Sequence, residues 1–97
     1  MIVVRNVFQA KYGKGNDLVA LIREANKLWP TRGQNFRILT DLSGQFFTVV
    51  TEVDIENLAA FEAASQATFS DERFPAWFER MTQLVEGGRR EFYTIAD

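Results

Sequence analysis

Apolar and polar positions alternate along the opening segment from Ile2 to Tyr12. Ile2, Val4, Phe8 and Ala10 fall on one side, and Val3, Arg5, Val7 and Gln9 on the other. A period of two predicts a strand. The alternation is imperfect: Val3 and Val7 sit on the otherwise polar side, and Asn6 interrupts the apolar one. Gly13 and Gly15 break the run. Leu18, Leu21, Ile22, Ala25, Leu28 and Trp29 then recur at i, i+3, i+4, i+7 spacing, which predicts one stripe of an amphipathic helix. Asn16 or Asp17 offers its N-cap, and Pro30 ends it, because the residue before a proline is pushed out of the α region. Residues Thr31 to Gln34 are predicted as a loop.

Two runs rich in β-branched and aromatic residues follow, Phe36–Thr40 and Phe46–Val53. The Ser43-Gly44 pair between them predicts a hairpin turn. Asp54 is expected to cap a second helix that makes contact through Leu58, Phe61, Ala64 and Ser65. Phe69-Ser70-Asp71 reads as a break. A third helical stretch carries Phe74, Trp77, Phe78, Met81, Leu84 and Val85, with Pro75 tolerated in its first turn. Gly87-Gly88 is read as its stop. A last strand is predicted over Arg89–Ala96, with Phe92, Thr94 and Ala96 facing one way and Arg89, Glu91, Tyr93 and Ile95 the other.

This order, β-α-β-β-α(α)-β, predicts an α+β chain of ferredoxin-like βαββαβ type, in one domain over 1–97. It carries a four-stranded antiparallel sheet with its helices on one face. A sheet face left to water reads mostly polar. Here Val3 and Val7 lie opposite Val4 and Phe8, and Phe46 and Val50 opposite Phe47 and Val49. Apolar groups on both faces predict a partner sheet, so the chain is expected to pair with a copy of itself as a dimeric α/β barrel. A monomer with a few exposed Val and Phe side chains is the alternative.

Composition narrows the chemistry. The 97 residues are 46% hydrophobic and 13% aromatic, ample for a small core and some surface between chains. The chain holds no cysteine, so disulfides, thiolate nucleophiles and Cys-ligated metal centres are excluded. It holds no histidine either, which removes the usual neutral-pH acid/base, the commonest transition-metal ligand and any Ser-His-Asp arrangement. A net charge of −2, with no basic run beyond Arg89-Arg90, argues against nucleic acid. No stretch reaches the ~20 apolar residues of a membrane span, and Met1–Arg5 does not read as a leader. A cytoplasmic protein with no cofactor and no membrane partner is the expectation.

Few residues stand out as chemistry. Asn6, on the apolar side of the first strand, can bond a substrate oxygen or hold molecular oxygen. The simpler reading is an amide satisfied within the fold. Trp29, Trp77, Phe74, Phe78 and Met81 can line an aromatic-binding cavity, although their helical spacing is what a plain core also gives. The candidate pocket is Asn6, Phe8, Phe47, Phe61, Trp77 and Met81. Arg5, Gln9 and Tyr93 are expected to point away from Phe8 into a barrel interior, where Arg5 and Tyr93 can bind an anion or simply pair with Glu91 or Glu52. Asp54 and Glu56 open a helix and read as cap and dipole partners rather than metal ligands. Gly13-Lys14-Gly15 lacks the spacing of a P-loop. Gly44-Gln45-Phe46-Phe47 is only faintly similar to the aromatic strand of RNA-recognition folds.

The run Asn6-Val7-Phe8-Gln9-Ala10-Lys11-Tyr12-Gly13 resembles the first strand of dimeric α/β-barrel proteins, among them antibiotic-biosynthesis monooxygenase-like and NIPSNAP-like families. The Ser43-Gly44-Gln45-Phe46-Phe47 hairpin and the split second helix are similar to the NIPSNAP-like branch. The resemblance implies a dimer with a cavity between each sheet and its helices. It also implies a role among proteins that bind or oxidise aromatic small molecules, many without an assigned activity. In the haem-degrading members an Asn on the first strand, a Trp on the second helix and a His beyond it make the site. Asn6 matches the first, the Trp position falls near Ala64, and the His has no counterpart. Trp77 lies in the same helical region but not at the matching place. Haem degradation through axial His is therefore contradicted. A small-molecule-binding protein, a cofactor-independent monooxygenase acting on an aromatic or quinol-like substrate, and a structural dimer module without catalysis stay open.

Overall fold

A computed structural model describes residues 1–30 and 33–97. Its elements run β1 (Ile2–Ala10), α1 (Gly15–Leu28), β2 (Gln34–Thr40), β3 (Thr48–Ile55), α2 (Leu58–Phe69), α3 (Phe74–Thr82) and β4 (Val85–Thr94). The strands form one sheet in the order β2-β3-β1-β4, every neighbouring pair antiparallel. This is the ferredoxin-like arrangement the periodicities predict. Ala10 and Val49 from the sheet meet Leu18 and Ile22 of α1 in the buried core, and Val4 and Leu21 are buried as well. The α1 stripe is thus the face that closes on the sheet.

The local differences have physical causes. Helix α1 begins at Gly15, with Lys14 at the cap position and no side-chain cap bond, rather than with Asn16 or Asp17 capping. Gly15 is buried under the Phe47 ring, and a Cβ there would stand 3.2 Å from Phe47 Cδ1. Of the predicted loop, Thr31 and Arg32 lie outside the described residues, and Gln34 already belongs to β2.

Strand β3 starts at Thr48, so Phe46 and Phe47 belong to the turn and take no side of the sheet. Asp41 closes that turn: its carboxylate accepts from the Thr48 N–H at 3.1 Å, and its own N–H donates to the Thr48 carbonyl at 3.2 Å. Phe47 adopts a φ of 59°, an uncommon backbone for a bulky side chain. The Ala10 N–H donates to its carbonyl at 3.0 Å, and its ring stands edge-on to Tyr12 at 4.8 Å.

Asp54 is a strand residue that accepts from Asn35 Nδ2 at 2.9 Å, not a helix cap. The cap of α2 is Asn57, whose Oδ1 accepts from the Ala60 N–H at 2.8 Å. Leu58 is 58% exposed, whereas Phe61 packs edge-on against Phe92. Helix α3 ends at Thr82, and Val85, Gly87 and Gly88 lie within β4. Gly88 is not a helix stop. It lets β4 lie against β1, since a Cβ would fall 2.8 Å from the Val7 carbonyl.

Candidate functional site

Between the sheet and the helices lies a cavity of about 420 Å³. Asn6, Phe8, Thr51 and Arg90 form its floor on β1, β3 and β4. Ile22 and Ala25 of α1, Trp29 at its C-cap, and Phe74, Trp77, Phe78 and Met81 of α3 form its walls. The aromatic wall is continuous. Trp29 stands edge-on to Trp77 and to Phe74, each at 5.9 Å, and Phe74 stacks on Phe78 at 5.6 Å. Trp77 is fixed by its indole N–H, which donates to the Leu21 carbonyl at 3.0 Å and so ties α3 to α1. At the rim Phe69 and Phe78 stay 59% and 49% exposed.

The floor carries a polar row across three strands. Sheet register sets Asn6 between Thr51 on β3 and Arg90 on β4. Arg90 Nε donates to Asn6 Oδ1 at 2.7 Å, and Asn6 Nδ2 donates to Thr51 Oγ1 at 3.2 Å. Because arginine only donates, the Asn6 amide can face just one way. One N–H and one lone pair of that amide remain beyond these two bonds. The Arg90 guanidinium also lies 5.0 Å from the centre of the Phe61 ring. Arg90 counts as exposed over the whole residue, yet burial around the guanidinium draws its pKa below the usual arginine value.

Asp71, in the turn between α2 and α3, is held well below the usual carboxylate range. The Arg73 side chain does most of this, and the Arg73 backbone N–H adds to it. The Arg73 guanidinium lies 5.8 Å from the Trp29 ring. The Trp29 indole N–H is buried and lies toward Asp71 without a well-formed hydrogen bond to any described group.

Asn6, Phe8, Trp77 and Met81 come together at this cavity, while Phe47 and Phe61 do not line it. Phe47 sits in the hairpin turn over Gly15, and Phe61 packs on Phe92 and Arg90. Arg5, Gln9 and Tyr93 lie on the open face of the sheet. There Glu52 faces Arg5 Nε at 2.8 Å, out of line for a hydrogen bond, and Arg37 at 2.6 Å. Glu91 accepts from Arg89 Nε at 2.8 Å and Tyr93 Oη at 3.0 Å, and Arg5 lies 3.8 Å away. Gln9 stands apart: its amide donates to the Phe46 carbonyl at 2.6 Å and braces the hairpin. Arg90 escaped the sequence reading, although it shares the Phe92 side of β4. A charge on a helix-covered face was the available signal. Among the described residues no three of His, Cys, Asp and Glu gather to hold a metal ion, and no helix is long and apolar enough to cross a membrane.

No protein-family model and no curated protein matches the chain. Solved structures do. A NIPSNAP family protein from Agrobacterium tumefaciens superposes with a TM-score of 0.87 at 18% identity, over 99% of this chain and 93% of its own. An uncharacterized NIPSNAP domain protein from Burkholderia xenovorans gives 0.85 at 18% identity, over 99% and 95%. A putative antibiotic biosynthesis monooxygenase from Deinococcus radiodurans gives 0.73 at 14% identity, over 100% and 94%. The chain therefore has the fold of these proteins.

Proposed function

We propose that the chain binds a small apolar or aromatic molecule in the cavity between sheet and helices. One observation carries this: a cavity of about 420 Å³ with aromatic walls and a few ordered polar groups on its floor. Ligand sites are of this size and make-up, at roughly 300–1,000 Å³. A packed core would bring its rings to the centre, whereas Phe69 and Phe78 stand exposed at the rim. The similar folds of NIPSNAP and putative monooxygenase proteins support a pocket of this kind, but a shared fold does not by itself carry an activity.

Titration of the full chain with anthrone or naphthalene, read by Trp29 and Trp77 fluorescence, is expected to give saturable quenching at one site per chain. Ala25→Phe fills the space from the α1 side and is expected to abolish it. Non-saturable quenching that is the same in both proteins counts against the proposal. Oxygen uptake in the anthrone arm separates an oxygenase from a binding protein, since oxidation would consume oxygen above the protein-free rate.

The open sheet face supports self-pairing. Val3, Val7, Leu39 and Val50 are only half-buried there in the single chain, between the Arg5–Glu52–Arg37 and Arg89–Glu91 ion groups. Val50→Lys would place an unpaired charge at the centre of the contact. Sedimentation at micromolar concentration is expected to give about twice the 11.1 kDa chain mass, and near 11.1 kDa for Val50→Lys. A wild-type mass of one chain would refute the pairing.

A further inference from the structure

We propose that the cavity takes an aromatic molecule carrying a carboxylate or a similarly planar anion, and that Arg90, positioned by Asn6, is the group that grips it. The inference deepens the small-molecule reading above and rests on it. Arg90 is the single charged residue among the described lining. Arg5, Arg37, Arg73, Arg80 and Arg89 each stand at salt-bridge distance from a carboxylate. Arg90 has no such partner among the described residues. Arg23, which also lacks one, lies on the exposed side of α1, where water solvates it. The Arg90 guanidinium instead lies against the Phe61 ring and lines the cavity, and burial there lowers its pKa. A partly desolvated cation without a counter-ion is costly in a fold this small, and the cost is recovered only when an anion arrives.

The geometry leaves the anion its place. Nε is committed to Asn6, and the plane of the guanidinium is braced by the Phe61 ring. No hydrogen bond from the two Nη groups engages a described residue. Those two groups form the fork that matches a carboxylate in a bidentate pair. Asn6 is the positioning residue: its amide, anchored to Thr51, fixes the rotation of the fork. The aromatic walls of α1 and α3 then take the ring system of the same molecule.

The test uses matched acids and amides of one, two and three fused rings: benzoate and benzamide, 2-naphthoate and 2-naphthamide, and anthracene-2-carboxylate and its amide. Binding to the full chain is read by tryptophan quenching and calorimetry at neutral pH. At the ring size that fits, the acid is expected to bind about 10- to 100-fold tighter than its amide, the range of a charge-assisted bidentate bond. Arg90→Met is expected to erase that preference while amide affinity stays within a few-fold. Asn6→Asp keeps nearly the same shape and supplies Arg90 with an internal carboxylate, so it too is expected to erase the preference. It also guards against Arg90→Met failing to fold. Equal affinity of acid and amide for the wild type overturns the anion inference and leaves the small-molecule reading standing. A preference that survives both substitutions overturns the assignment to Arg90. No binding of any probe overturns both.

Discussion

Leu18→Ala is expected to cost about 3–5 kcal/mol, the range for emptying a fully buried leucine site. Leu18 has no exposed surface and sits where α1 closes on Ala10 and Val49. The core is thin, so few neighbours can move in to fill the space. A domain of this size holds only about 5–15 kcal/mol in all, so roughly a fifth or more of its stability would go. Urea unfolding at fixed protein concentration reads the loss, because the proposed pairing with a copy would make the midpoint depend on concentration. A change below about 1 kcal/mol would mean that the site collapses freely and that α1 is not the main closure of the sheet.

Trp77→Ala is expected to lose a similar amount, about 3–5 kcal/mol, and to abolish ligand binding as well. No residue of α3 is fully buried. The helix is held by ring contacts to Trp29 and by the indole bond to Leu21. Trp77→Phe keeps a ring in the wall and removes the bond alone, so it is expected to cost about 1–2 kcal/mol and to bind aromatic probes within a few-fold of wild type. Thermal melting and probe titration on the two variants read both effects. Equal losses for Phe and Ala would show that the single hydrogen bond holds α3, and the ring packing little.

Much of this was open to reading from the residues, because α1 and α3 bury faces that repeat at helical spacing. Leu18, Leu21 and Ile22 are buried because they share one stripe of α1, and Asn6 and Phe8 share the covered side of β1 by simple alternation. The failures need facts about distant residues. Gly87-Gly88 looks like the end of a helix, yet both lie in β4, and Gly88 serves its close approach to the Val7 carbonyl. With the start of β4 misplaced, the register that sets Arg90 beside Asn6 could not be drawn. Phe46-Phe47 has every local preference for a strand, but the Asp41–Thr48 bonds and the Ala10–Phe47 bond hold it in a turn. Helical spacing sets Phe61 on a face of α2 but not its depth along it, and the ring falls against Phe92 rather than in the cavity lining.

Arg90 stands on β4, an outer strand whose ladder bonds reach β1 alone. The one charge among the cavity's described lining is therefore carried by a border of the sheet, paired on one side only. A guest that gripped Arg90 while resting on the rings of α3 would clamp this margin to the helical layer, adding to the hold Phe61 already has on Phe92 and Arg90. Occupancy and the integrity of the sheet's border would then be a single equilibrium. Whatever degrades the protein from that border would meet a sturdier target when the guest is home.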